Sequence, residues 1–147
     1  MMPAATGERL PEVTLGPLAP TDVARYAAAS GDSNPIHVDA TAAAAAGLAG
    51  PIVQGMLVMA HLVRIAEAWR ADAMVTMARV LFVRPIGVGE KLAVEGRVVA
   101  HQGGAPAWQC TVRLTARNDA GTIAAIVEAQ MLANTMVPPV GLEPTLP

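Results

Sequence analysis

The hydrophobic period of the chain changes near residue 74, and that change limits what it can fold into more than any other feature. Upstream, from about Gln54 to Arg70, Met56, Leu57, Val58, Met59, Leu62, Val63 and Ile65 leave almost no polar face over the first two helical turns. A helix of that kind has to be wrapped by other structure. The four methionines of and just after this helix therefore read as core and not as a cofactor box. Downstream the period is two: Trp108, Cys110, Val112, Leu114 and Ala116 alternate with Gln109, Thr111, Arg113, Thr115 and Arg117, the pattern of a half-buried strand. Strands are predicted near 74–84, 91–102, 106–118 and 122–134, separated by Gly87/Gly89, Gly103-Gly104 and Asn118-Asp119-Ala120-Gly121. Connections this short and glycine-bearing favour antiparallel hairpins. Helix first and strands afterwards is an α+β order.

The first half is less regular. Residues 1–11 read as a loose lead-in, and Val13 to Leu18 as a short edge strand. Thr21, after Pro20, is the N-cap or a first-turn residue of a helix that carries Val23, Tyr26 and Ala27 on one face and ends at Gly31. Thr41 to Ala46 is a short alanine-rich helix stopped by Gly47, and the tail from Pro138 reads as a loose extension. Residues 1–147 amount to one domain, with 53% apolar residues and only 3% aromatic ones, so its core is built from Ala, Val, Leu, Ile and Met. So apolar a chain with so few charges is expected to cover part of its surface with a second copy of itself.

Several classes are excluded. The net charge is −2 and the ten basic residues form no block, which argues against a nucleic-acid surface. Cys110 is the only cysteine, so the chain has neither an internal disulfide nor a multi-cysteine metal site, as suits a reducing cytoplasm. Its three histidines are too dispersed for a metal signature. Met1 to Pro11 lacks the basic start and apolar run of a signal peptide. The one candidate membrane span, Ile52 to Trp69, is interrupted by Gln54, His61, Arg64 and Glu67.

Chemistry concentrates in Ser30-Gly31-Asp32-Ser33-Asn34-Pro35-Ile36-His37, where Gly31 and Pro35 exclude a regular helix and set an acid and an imidazole five residues apart. If the loop folds back, Asp32 and His37 can hold one water between them and pass its proton on. The same residues are also ordinary turn chemistry, with Asp32 or Asn34 bonding nearby backbone. Spacing alone leaves both readings open.

The stretch from Tyr26 to Ala43, with Tyr26, Ser30-Gly31-Asp32, Asn34-Pro35-Ile36-His37 and Ala43 in place, closely resembles the signature of the MaoC-like (R)-specific enoyl-CoA hydratases. These are hot-dog proteins related to the 3-hydroxyacyl-thioester dehydratases. Gly50-Pro51-Ile52-Val53-Gln54-Gly55-Met56-Leu57 and Val80-Leu81-Phe82-Val83-Arg84-Pro85-Ile86, followed by Gly89-Glu90-Lys91-Leu92, are similar to the same family in the same order.

The resemblance implies an antiparallel sheet wrapped around a long central helix. It also implies a reversible hydration of trans-2-enoyl thioesters, carried by coenzyme A or acyl carrier protein, with no metal or cofactor and with a homodimer as the assembly. It makes Asp32 and His37 the catalytic pair and assigns the N–H of Gly55 to the oxyanion hole. The start of a buried helix fits that role, since its first N–H groups are unused and its dipole favours negative charge. The alternative is a glycine that merely fits the helix entry. Asn34 reads as an orienting residue, and Asp39 as the cap of the 41–46 helix.

Two departures stand out. Many family members carry histidine where this chain has Gln54, and some bacterial hydratases have a serine where it has Val63. Gln54, Met56 and Val63 are accordingly the candidate pocket residues. His61 lies about 200° around the helix from Val63 and does not replace that serine. His101, beside Gly103-Gly104, is expected in solvent, and Cys110 as an inert buried thiol. Arg79, Arg84 and Lys91 are candidate phosphate or carrier contacts that fit equally well as solvated strand residues. Two other functions remain open: isomerisation or cyclisation by the same pair in a specialised route such as polyketide metabolism, and a non-catalytic subunit of a dehydratase complex. The intact Asp32/His37 pair argues against the second.

Overall fold

The computed structural model describes residues 4–104 and 107–134. Strand β1 (Arg9–Leu15) leads into helix α1 (Pro20–Ser30), a single 3-10 turn (Pro35–His37), the short helix α2 (Ala40–Ala45) and the long helix α3 (Gly55–Trp69). Strands β2 (Met74–Phe82), β3 (Leu92–Gly104), β4 (Ala107–Arg117) and β5 (Ile123–Asn134) follow, close to the predicted spans. All pairings are antiparallel in one sheet of order β1-β3-β4-β5-β2, which leaves β1 and β2 as its edges.

Helix α3 buries Val58, Leu62 and Ala66, all 0% exposed and spaced four apart, which places them in one stripe. That stripe joins the inward residues of the sheet, Val94, Val98, Val112, Leu114 and Val127, in the core. Gly96 belongs to this packing. A Cβ there would stand 2.7 Å from Leu114 and 2.9 Å from Leu10, so only glycine lets those leucines close over β3. Register shifts in all four ladders bend the strands. Helix and sheet together form the α+β hot-dog arrangement that the resemblance implies.

Beyond the far end of α3, Arg70 is 6% exposed, stacks its guanidinium 4.5 Å over the Trp108 ring and bonds Asp72 at 2.8 Å. The hydrogen bond to Arg70 holds the Asp72 carboxyl below its ordinary range. No helix among the described residues is long and apolar enough to cross a membrane.

Some expectations need correction. The lead-in is not loose from Ala4 onward: Ala4 is buried, the Gly7 N–H donates to Val98 O at 2.9 Å, and the Val98 N–H donates to Glu8 O at 2.9 Å. β1 starts at Arg9 and ends at Leu15; a register shift between Leu10 and Val13 hides the inward Leu10 from any simple alternation. The tail from Pro138 lies outside the described residues. Met56, Met74 and Met77 are 54%, 63% and 45% exposed and are not core. Met56 sits about 200° around α3 from the buried Val58, and the other two lie on edge strand β2. His101 is half-buried opposite Cys110, with its Nε2 shielded and unpartnered, because the register shift between Val98 and Ala100 changes the phase of β3 by one residue. Cys110 is buried as expected, and burial pushes its thiol pKa up.

Candidate active site

Local hydrogen bonds shape the Asp/His loop. Gly31, at φ +76°, ends α1 with its N–H on Ala27 O, a left-handed conformation that glycine adopts without penalty. Ser30 Oγ donates to Tyr26 O at 2.8 Å and accepts the Asp32 N–H at 3.2 Å. Asp32 Oδ1 then accepts the Asn34 N–H at 3.3 Å, and Asn34 Oδ1 accepts the Ile36 N–H at 3.3 Å, capping the 3-10 turn that Pro35 begins. It is thus the backbone of Asn34 that braces the carboxylate, while its amide braces the turn. Asp39 Oδ1 accepts N–H groups from Thr41 and Ala42, which makes it the α2 cap expected from sequence.

His37 ends that turn and is 8% exposed. Its Nδ1 meets Ile52 O at 2.8 Å and its Nε2 faces Asp32 Oδ2 at 3.5 Å. A carbonyl only accepts, so Nδ1 carries the proton of the neutral ring and the lone pair sits on Nε2, toward Asp32. The Asp32 side chain is 42% exposed, so the pair opens to solvent on the carboxylate side. The turn is present, and it sets Asp32 and His37 face to face.

Backbone bonds from residues 51–53 join all three sequence motifs. Ile52 N–H donates to Ile36 O at 3.2 Å, Val53 N–H to Ile86 O at 2.8 Å, and Pro51 O accepts the Val88 N–H at 2.9 Å. The chain then enters α3 at Gly55, whose N–H, like those of any first turn, lies outside the helical ladder. A Cβ on Gly55 would stand 2.8 Å from Phe82 Cζ, so any larger residue here has to displace the half-exposed Phe82 ring. Ile52, Val53, Gly55, Val58, Phe82 and Val83 line a mostly apolar cavity of about 340 Å³, completed by residues 84–86. Ile52 links it to the pair, since its carbonyl holds His37.

The other candidates fall elsewhere. Gln54 is 1% exposed; its Nε2 donates to Val23 O at 3.1 Å, tying the start of α3 to α1, and it does not line the cavity. Met56 and Val63 do not line it either, and Val63 packs against the core. His61 borders a separate cleft between α3 and β1. Arg84 is committed to Glu90 at 2.7 Å and to Pro85 O at 2.7 Å, and the bond to Arg84 holds the Glu90 carboxyl below its usual range. Arg79 and Lys91 are exposed. Sequence reasoning gave no role to Ile52 O or Phe82. A backbone acceptor leaves no sequence signal, whereas Phe82 is the only phenylalanine in the chain and stands inside the third motif.

The fold and this loop define a hot-dog protein with an acid–imidazole pair beside the N-terminus of its central helix. The chain matches the family model of the MaoC like domain over residues 3–119, and it belongs to that family. It is 42% identical over 82 residues to the fatty acid synthase subunit beta of Gibberella zeae, covering 53% of this chain and 4% of that protein. It is 33% identical over 82 residues to the mitochondrial 3-hydroxyacyl-[acyl-carrier-protein] dehydratase FERN of Solanum lycopersicum, covering 56% of this chain and 50% of that one. The chain thus spans half or less of the length of these curated relatives. The R-hydratase PhaJ1 of Pseudomonas aeruginosa superposes with a TM-score of 0.73 at 28% identity, covering 94% of this chain and 92% of that one.

Proposed function

We propose that this chain is a hydro-lyase that adds water across the 2,3 double bond of a trans-2-enoyl thioester to give the (R)-3-hydroxyacyl thioester, and runs the reverse dehydration. The observation that carries this reading is the pair geometry: Nδ1 of His37 on Ile52 O, and Nε2 3.5 Å from Asp32 Oδ2. A water held by both atoms gives one proton to Nε2 as its oxygen attacks C3. The electron pair of the double bond moves toward the thioester carbonyl, whose developing charge the Gly55 N–H stabilises. C2 then takes a proton back from Nε2, so one O–H bond is broken while C3–O and C2–H form. Asp32 orients the water and balances the imidazolium. The acyl chain occupies the apolar cavity under Phe82, and the carrier is coenzyme A or acyl carrier protein, in keeping with the relatives' names.

The working assembly in this reading is a cytoplasmic homodimer. Strand β2 is an unpaired edge that exposes Met74, Met77 and Leu81, an apolar rim suited to a second copy. The test is to follow loss of enoyl absorbance with crotonyl-CoA and with a carrier-protein enoyl thioester, and to analyse the product's chirality. Hydration to the (R) product is expected. A folded protein inactive on both carriers, or one that shifts the double bond without adding water, would overturn the reading and favour isomerisation by the same pair.

A further inference from the structure

The sheet register collects arginines that the sequence scatters. Arg9 of β1 pairs directly with Arg97 of β3, and Arg97 with Arg113 of β4, so three guanidinium groups run in one row across the outer face of the sheet. Like charges directly opposite each other are unfavourable on a sheet. The chain's own acids relieve only the end of the row, where Glu128 bonds Arg113 at 2.6 Å and 2.9 Å. Arg9 and Arg97 are exposed and make no ion pair among the described residues. With Arg117, four residues further along β4, these arginines line a groove of about 310 Å³ in which Glu95 is the only acid. With Arg113 already held by Glu128, Arg9, Arg97 and Arg117 against Glu95 leave a surplus of two positive groups in a chain whose net charge is −2.

We infer that this groove is a docking surface for an acidic helix of a partner protein. The spacing argues for it: two interstrand steps span about 9.6 Å, and seven residues of helix rise about 10.5 Å. A helix laid across the strands with carboxylates at i, i+3 or i+4, and i+7 sets one over Arg9, one over Arg97 and the third beside Arg113, which Glu128 already holds. The spread argues against one phosphate or diphosphate, since Arg113 and Arg117 are about 13 Å apart along β4. Half-buried Ile123 and Ile126 complete the lining, an apolar floor for a helix flank, and no aromatic is present on which a nucleic-acid base would stack. A second copy does not supply the partner, because α1 and α3 carry one acid each, Asp22 and Glu67, and α2 carries none. The groove is lined from β1, β3, β4 and the start of β5 and shares no lining residue with the cavity beside Asp32 and His37, so the inference goes beyond the proposed reaction and stands independently of it.

The test measures binding of a helix-stabilised peptide of about four turns with glutamates on one face, against a peptide of equal composition with them dispersed around the helix. The one-faced peptide is expected to bind the full chain about tenfold more tightly, with affinity falling as salt rises. Arg9→Gln/Arg97→Gln should lose that tenfold preference while keeping thioester turnover and a melting temperature at or above that of wild type, since the opposed charges are gone. Should the double variant not fold, Arg117→Gln, outside the row, serves in its place with a smaller loss. Equal binding of the two peptides, undiminished binding by the variants, or no binding at low salt would overturn the inference. So would tighter binding of single-stranded RNA, anionic vesicles or inorganic diphosphate to the same arginines. Failure of thioester hydration alone would overturn the proposed function and leave this surface standing.

Discussion

The bond between His37 Nδ1 and Ile52 O, 2.8 Å long, involves no reacting atom, yet it decides which nitrogen of the ring is free to take a proton. At this scale the sequence was informative about side chains and silent about their backbone partners. Gly31, Asp32, Asn34, Pro35 and His37 could be read as a turn bearing an acid and a base, because turn chemistry is local. Ile52 comes to His37 from fifteen residues away, and only the fold brings it there. Gln54 makes the same point: its position suggested the pocket, whereas its Nε2 donates to Val23 O and its buried Oε1 has no partner among the described residues. Gln54→Ala is therefore predicted to lower stability by about 0.5–1.5 kcal/mol, the net worth of one lost hydrogen bond, since Val23 O keeps its place in the α1 ladder. Turnover per folded molecule should stay near that of wild type. A melting curve with a kcat measurement checks this, and an intact melting temperature with a large loss of rate would return Gln54 to the pocket.

Among the elements, the junction of α3 with the end of β2 matters most, because two explanations of Gly55 meet there. Its Cα lies under the ring of Phe82, where a Cβ would stand 2.8 Å from Cζ, and its N–H is the proposed donor to the thioester oxygen. Packing alone would explain the glycine. The two roles separate in a double variant. Gly55→Ala should cost about 1–3 kcal/mol through overpacking and lower turnover. Adding Phe82→Ala should recover most of the stability, yet leave turnover low because the methyl group still keeps the thioester carbonyl from the N–H. Full recovery of rate in the double variant would reduce Gly55 to a packing residue. The helices and hairpins were legible from periodicity and glycine punctuation. The exposure of Met56, Met74 and Met77 was not, since period counts apolar residues without knowing which strand ends at an edge.

At the scale of the whole molecule, the order β1-β3-β4-β5-β2 was not legible in the period-two segments, which give strands but not their neighbours. The outer row of Arg9, Arg97 and Arg113 depends on that order, which is why the basic residues looked scattered. Two ion pairs brace the ends of the fold, Arg70 with Asp72 and Arg84 with Glu90, and in each the arginine holds the carboxyl below its usual range. A group with a lowered folded-state pKa stabilises fully above its unfolded value of about 4 and ceases to do so as pH falls through the folded value. The melting temperature should therefore drop on acidification below about pH 4. It should drop less steeply in Asp72→Asn, which begins from a lower plateau. An identical acid profile in the variant would remove that pair from the account.

Turnover of a trans-2-enoyl thioester by the wild-type chain, by Asp32→Asn and by His37→Ala, each shown to be folded, tests the central claim most directly. Wild type should give the (R)-3-hydroxy product, and each substitution should lower the rate by roughly 10²–10⁴-fold, the range for lost general acid–base groups. Either variant turning over near the wild-type rate while folded would contradict the assignment of the pair.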